Sequence, residues 1–176
     1  MLTSRERCIR SILFEDPDRI PLILSIRPEP YEKLRKTLGA SSYIDICKRL
    51  GVDVVSVGIG IRGGYLPEGV EVKEGPYAPA YTVGEYKGFE VRRDVWGIES
   101  IWAPNSTYTY TYYRHPLQHI PLEKYRWPRV NVEAFDDVVK SRKNYEDYCL
   151  AGVVEHMWEI AWQLTGFNEI MRFNVY

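Results

Sequence analysis

The chain has 176 residues, in which 23 lysines and arginines face 24 aspartates and glutamates for a net charge of -1. That balance lacks the basic footprint on which nucleic-acid or anionic-membrane binding rests, so neither partner is expected. Three widely spaced cysteines in apolar surroundings, Cys8, Cys47 and Cys149, and no apolar run of membrane-spanning length point to free thiols in a soluble, cytoplasmic protein, and away from a disulfide scaffold or a zinc ribbon.

Thr3 and Glu6 stand in a capping-box pattern ahead of Cys8, Ile9, Ile12 and Leu13, so the spacing predicts an amphipathic helix from Thr3 to about Phe14. Pro17 disfavours helix at Asp16. The run from Ile20 to Ile26 has Ser25 as its only polar member and reads as a first strand buried on both faces, with Arg27 at its carboxyl end. Pro28 and Pro30 open a helix that Gly39 closes; Ser41 or Ser42 caps another that ends at Gly51. VDVVSVGIG then reads as a second strand, with Asp53 at its start in a structural role.

Between Arg62 and Thr111, glycines and prolines punctuate short alternating segments such as VEVKE, YTVGEY and FEVRRDVWG, the pattern of hairpins. Thr107 to Tyr113, TYTYTYY, has a two-residue period with tyrosine on one side, which suits an amphipathic strand or, alternatively, a stacking platform. His115 and His119 are four apart, but Pro116 argues against a helix that presents both to one metal. A helix is expected from Val132 to about Tyr145. Tyr148 to Val154 then reads as a buried strand followed directly by a helix that carries Glu155, His156 and Glu159 at its start.

Helices alternating with apolar strands argue for an α/β fold with a parallel sheet or barrel, with 62–111 as an inserted β-hairpin segment. Ligands of such folds bind at the carboxyl ends of the strands, so Arg27 and Glu155 are the substrate-binding candidates and His156 and Glu159 the catalytic ones. A planar guanidinium suits a carboxylate or phosphate, and an imidazole titrates near neutrality. Each also has a structural reading: a salt bridge for Arg27, helix-start hydrogen bonding for His156, dipole stabilisation for Glu159. No metal ligands are assigned. No Walker-type loop, nucleophile elbow or dinucleotide fingerprint occurs.

TSRERCIRSILFEDPDRIPLIL, followed in order by LGVDVVSV, FEVRRDVWGIES, HPL, LEKYRWP and MWEIAWQLTGF, resembles the N-terminal half of the uroporphyrinogen decarboxylase superfamily, over Thr3 to Phe167. It looks most like the branch of corrinoid-dependent methyltransferase-like proteins. The resemblance implies a (β/α)8 TIM-barrel type of fold, of which residues 1–176 would be the N-terminal part, with its site in the mouth, an acidic tetrapyrrole or corrinoid as ligand, with a corrinoid protein as one form of that partner, and decarboxylation or methyl transfer as chemistry. Zinc and a corrinoid would be the cofactors of methyl transfer, with ligands from the family's second half. SIRPEP stands where the decarboxylases carry Arg-Gln-Ala-Gly-Arg, which leaves Arg27 as the basic residue there, and Trp162 falls near their tyrosine. Because a barrel needs ~250 residues, either the chain is a fragment of one, or a homo-oligomer or a second-half chain closes it. The alternative is a catalytically silent module that binds a partner chain or assembles as an oligomer.

Overall fold

A computed structural model of the chain describes residues 2–58, 60–76, 78–104, 110–153 and 156–173. In chain order these form helices α1 (Ser4–Ile12), α2 (Pro28–Leu38) and α3 (Tyr43–Leu50), then strands β1 (Val54–Gly58), β2 (Ile61–Gly63), β3 (Lys73–Glu74) and β4 (Pro79–Tyr86). Strands β5 (Phe89–Asp94), β6 (Glu99–Trp102), β7 (Tyr110–Arg114) and β8 (Pro128–Val130) follow, then α4 (Val132–Ser141), β9 (Cys149–Val153), α5 (Met157–Thr165) and α6 (Phe167–Phe173). The chain divides into two compact units: Met1–Gly58 with Glu133–Val153, and Ile59–Val132 with Val154–Tyr176. No helix among the described residues is long and apolar enough to cross a membrane.

In the first unit, α1 starts where its capping box sits: Thr3 Oγ1 accepts from the Glu6 amide at 3.2 Å and the Glu6 carboxylate accepts from the Thr3 amide at 2.9 Å. Two donors that a helix start leaves unpaired are thereby satisfied. The helix buries Arg7 and Cys8. Gly51 ends α3 at φ 65°, a left-handed backbone in which a Cβ would be strained.

Asp53 is fully buried and accepts hydrogen bonds from Ser4 Oγ at 2.8 Å, Arg7 Nη1 at 2.5 Å, Arg19 Nη1 at 2.6 Å and the Leu22 amide at 2.9 Å. Arg7 also holds Asp18 in a fork of 2.6 and 3.0 Å. Burial pushes the Asp53 carboxyl upward, but the donors from Leu22, Arg19, Ser4 and Arg7 outweigh it and leave the group below its ordinary value. Asp53 therefore ties α1, the Arg19–Leu22 stretch and β1 together.

The expected (β/α)8 barrel does not form. Among the described residues there is no closed barrel, the sheets are small, and most strand pairs are antiparallel. β1 and β9 do pair in parallel, Val55 opposite Leu150, but the run from Ile20 to Ile26 makes one isolated bridge, Ile23 to Val54, and is no strand. Burial explains the difference. Ile20, Ile23 and Val153 are 78%, 58% and 51% exposed, so these runs are not covered on both faces as an inner barrel wall requires.

The second unit holds the largest sheet, antiparallel in the order β3-β4-β5-β6-β7, and the separate antiparallel pair β2-β8. Here the glycine- and proline-punctuated texture builds a meander over Lys73–Arg114. Of the tyrosine-rich run, residues 107–109 lie outside the described residues. Ile98, Tyr125 and Leu164 form the core, packed by Tyr65, Trp96, Tyr112 and Ile160. Fully burying an aliphatic side chain such as Ile98 or Leu164 contributes about 1.5–3 kcal/mol. Trp162 meets Tyr112 edge-on with ring centroids 5.0 Å apart, which packs α5 onto β7.

Candidate functional site

Alternation along β5 sorts its charged residues onto two faces. Glu90 and Arg92 share one. There Glu90 accepts from Lys73 at 2.6 Å, from Arg92 and from the Thr82 hydroxyl, and the Arg92 guanidinium lies 4.2 Å from the centre of the Trp102 ring. Arg93 belongs to the opposite face.

On that face the register aligns four residues across four strands: Tyr81 opposite Arg93, Arg93 opposite Glu99, Glu99 opposite Arg114. Arg114 would not be there by alternation, because it is two residues from Tyr112 and four from Tyr110. Between Glu99–Arg114 and Ser100–Tyr112 the register shifts, so Tyr113 is an extra residue, a bulge that turns Arg114 onto the face of Glu99.

Glu99, with its side chain 6% exposed, accepts from Arg93 Nη2 at 2.5 Å and Nε at 3.0 Å. Arg114 stands 3.7 Å from the second carboxylate oxygen, an ion pair too long for a hydrogen bond, and its side chain is 58% exposed. Burial pulls the Arg93 guanidinium downward, but its hydrogen bonds to Glu99, with the charge of that carboxylate and the neighbouring Tyr81, raise it above its usual value, so it stays charged. Two guanidiniums thus share one carboxylate, with a positive charge left over.

Arg93, Glu99 and Arg114 of this row form one wall of a cavity of about 440 Å³, completed by Tyr65, Gly97 and His119. The β5–β6 turn shapes it. Asp94 Oδ1 accepts from the Trp96 and Ile98 amides, each at 2.9 Å, and Gly97, at φ 81°, lies so close to Tyr65 that a Cβ would stand 2.8 Å from the ring. Tyr125 donates to the Trp96 carbonyl at 2.6 Å and fixes the turn from below; its burial pushes the phenol well above its usual range. The volume lies in the ~300–1,000 Å³ range of pockets for small organic ligands.

The sequence-predicted residues lie elsewhere. Arg27 is the exposed N-cap residue of α2, in the first unit, and makes no side-chain cap. Glu155 lies outside the described residues. His156 is the exposed N-cap residue of α5, again without a side-chain cap, and Glu159 is half-buried in the same first turn, in the second unit. None of Arg27, His156 and Glu159 lines the cavity. His115 is turned to α5, its Nδ1 2.7 Å from the Gln163 carbonyl, which only accepts, so this nitrogen carries the proton. His119 faces the cavity instead. The two histidines therefore share no site. Among the described residues no three His, Cys, Asp or Glu side chains lie together to hold a metal ion.

Sequence spacing gives no functional signal for Arg93, Glu99 or Arg114, although alternation in FEVRRDVWGIES separates Arg92 from Arg93, and it raises His119 only as a metal-ligand candidate beside His115. Neither a family model, nor a curated protein, nor a solved structure matches this chain.

Proposed function

We propose that the second unit binds a small, carboxylate-bearing organic molecule. The observation that carries this is the cross-strand row in which Arg93 and Arg114 share Glu99 on the wall of a cavity that also presents His119 and Tyr65. A ligand carboxylate would meet the exposed Arg114 fork and leave Glu99 on Arg93, while an apolar part of the ligand would lie along Tyr65. The resemblance to the uroporphyrinogen decarboxylase superfamily supplies a ligand class of that character, the carboxylated tetrapyrroles and corrinoids, of which this cavity would take a carboxylate-bearing edge. Decarboxylation or methyl transfer enters only through that resemblance. Zinc does not fit the described residues, which offer no donor set, so no step is routed through it.

The test is calorimetric titration of the whole chain with citrate and with a coproporphyrin. Saturable binding that weakens with salt is expected, lost in Arg114→Gln and tightened in Glu99→Gln, where a competing carboxylate is gone. Equal binding by Arg114→Gln, or no binding of either compound, would remove the proposal.

The second reading, a module that pairs with another copy, is favoured by the exposed Ile20, Leu22 and Ile23 of the first unit. Analytical ultracentrifugation decides it: a monomer at all concentrations ends that reading.

A further inference from the structure

The first unit contains two thiols on packed elements, α1 and β9, that the carboxylate-binding proposal does not use. Cys8 is buried on the inner side of α1, and Cys149 is the first residue of β9, the strand against which α1 packs. The Cys149 amide donates to the Asp53 carbonyl at 2.9 Å, which fixes this end of the strand beside the buried ion cluster. Arg5 and Ile9, on the same side of α1 as Cys8, line one cavity with Cys149, and neither thiol is in a disulfide.

Their access to solvent differs. Cys149 is half-buried and lines a cavity of about 560 Å³ together with Arg5, Ile9 and Tyr148, whereas Cys8 lies behind it. Cys47, the third thiol, is fully buried on α3 and does not line that cavity. One thiol therefore meets a small reagent and a second is placed to react with the product, the arrangement of an attacking and a resolving cysteine.

We propose that Cys149 and Cys8 form an oxidative modification site whose substrate is a small hydroperoxide entering the cavity beside Arg5. The Cys149 sulfur takes the terminal oxygen of the hydroperoxide, the O–O bond breaks, and the alcohol (water, from hydrogen peroxide) leaves with the thiol proton. The Cys8 sulfur then displaces hydroxyl from the Cys149 sulfenic acid; the S–S bond forms, the S–O bond breaks, and the Cys8 proton leaves with the hydroxyl as water. Two thiols are oxidised by two electrons in all, and one peroxide bond is reduced. Burial first, and then the neighbouring Cys149 thiol, push Cys8 up to about 11, so it carries its proton into the second step and does not compete for peroxide in the first. The product would tie α1 covalently to β9.

The experiment exposes the full chain to graded hydrogen peroxide, blocks remaining thiols by alkylation, and maps the digested protein by mass spectrometry. A Cys8–Cys149 cross-linked peptide is expected with Cys47 recovered as the alkylated thiol, forming roughly tenfold faster in the folded chain than in urea because the thiols are held together. Cys8→Ser should leave Cys149 as a sulfenic acid that dimedone captures. The wild-type map stands even if that variant fails to fold. Cross-links that involve Cys47 in comparable yield, rates equal in urea, or Cys149 oxidised without any link to Cys8 would overturn the proposal.

Discussion

In the first unit Arg7 and Arg19 converge on Asp53 and Asp18, two guanidiniums against two carboxylates, with the central acceptor wholly out of water. In the second, Arg93 and Arg114 converge on Glu99 alone, and Arg114 is left facing solvent. The first arrangement is closed: every donor of the cluster that reaches Asp53 has its acceptor within the unit, and the geometry joins segments distant in sequence. The second is open, with more positive charge than the fold neutralises. The same pair of residue types therefore serves architecture where charge is matched and buried, and recognition where it is unmatched and accessible.

Asp53→Ala is the hardest test of the closed half. It strands Arg7 without its buried acceptor and should cost ~3–5 kcal/mol, read as a lower urea midpoint for the first unit; a loss below ~1 kcal/mol would show that the cluster is incidental. Gly97→Ala comes next. At φ 81°, with a Cβ 2.8 Å from Tyr65, it should destabilise the second unit by ~1–3 kcal/mol and weaken citrate binding together.

Acid should act on both units. Asp18, held low by its hydrogen bonds to Arg7, and Glu90, brought to about 2 by Arg92 against the opposing effect of burial and then by Lys73 and Thr82, both have folded values below their unfolded ones. The stabilisation they give is complete above the unfolded values and is lost as pH falls through the folded ones, so urea midpoints should drop progressively from pH 4.5 toward 2 for Glu90. Asp18→Asn should flatten that slope in the first unit; an unchanged slope would separate Asp18 from acid sensitivity. The smallest effect on stability is expected from Arg114→Gln, within ~0.5 kcal/mol, alongside loss of carboxylate binding. If thermal unfolding shows a larger loss, Arg114 belongs to the architecture and the contrast between the units collapses.

Local chemistry was legible in the sequence. The Thr3–Glu6 capping box and the glycine stops at Gly39 and Gly51 act within a few residues, and each lies at the helix end it marks. Glycine and proline spacing likewise foretold short antiparallel segments. What the sequence did not carry was the number of neighbours an apolar run acquires. Ile20–Ile26 has the composition of a doubly covered strand, yet makes a single bridge. The binding row was hidden for a different reason. Arg93, Glu99 and Arg114 meet only through strand register, and strict alternation would assign Arg114 to the wrong face.

The extra residue at Tyr113 has an evolutionary corollary. Removing that one codon would set the arginine directly after Tyr112, where plain alternation along β7 places it opposite Glu99 without any bulge. Descendants could then shed or regain the bulge by a single in-frame deletion or insertion, with the arginine, and the affinity for anions, carried through each change.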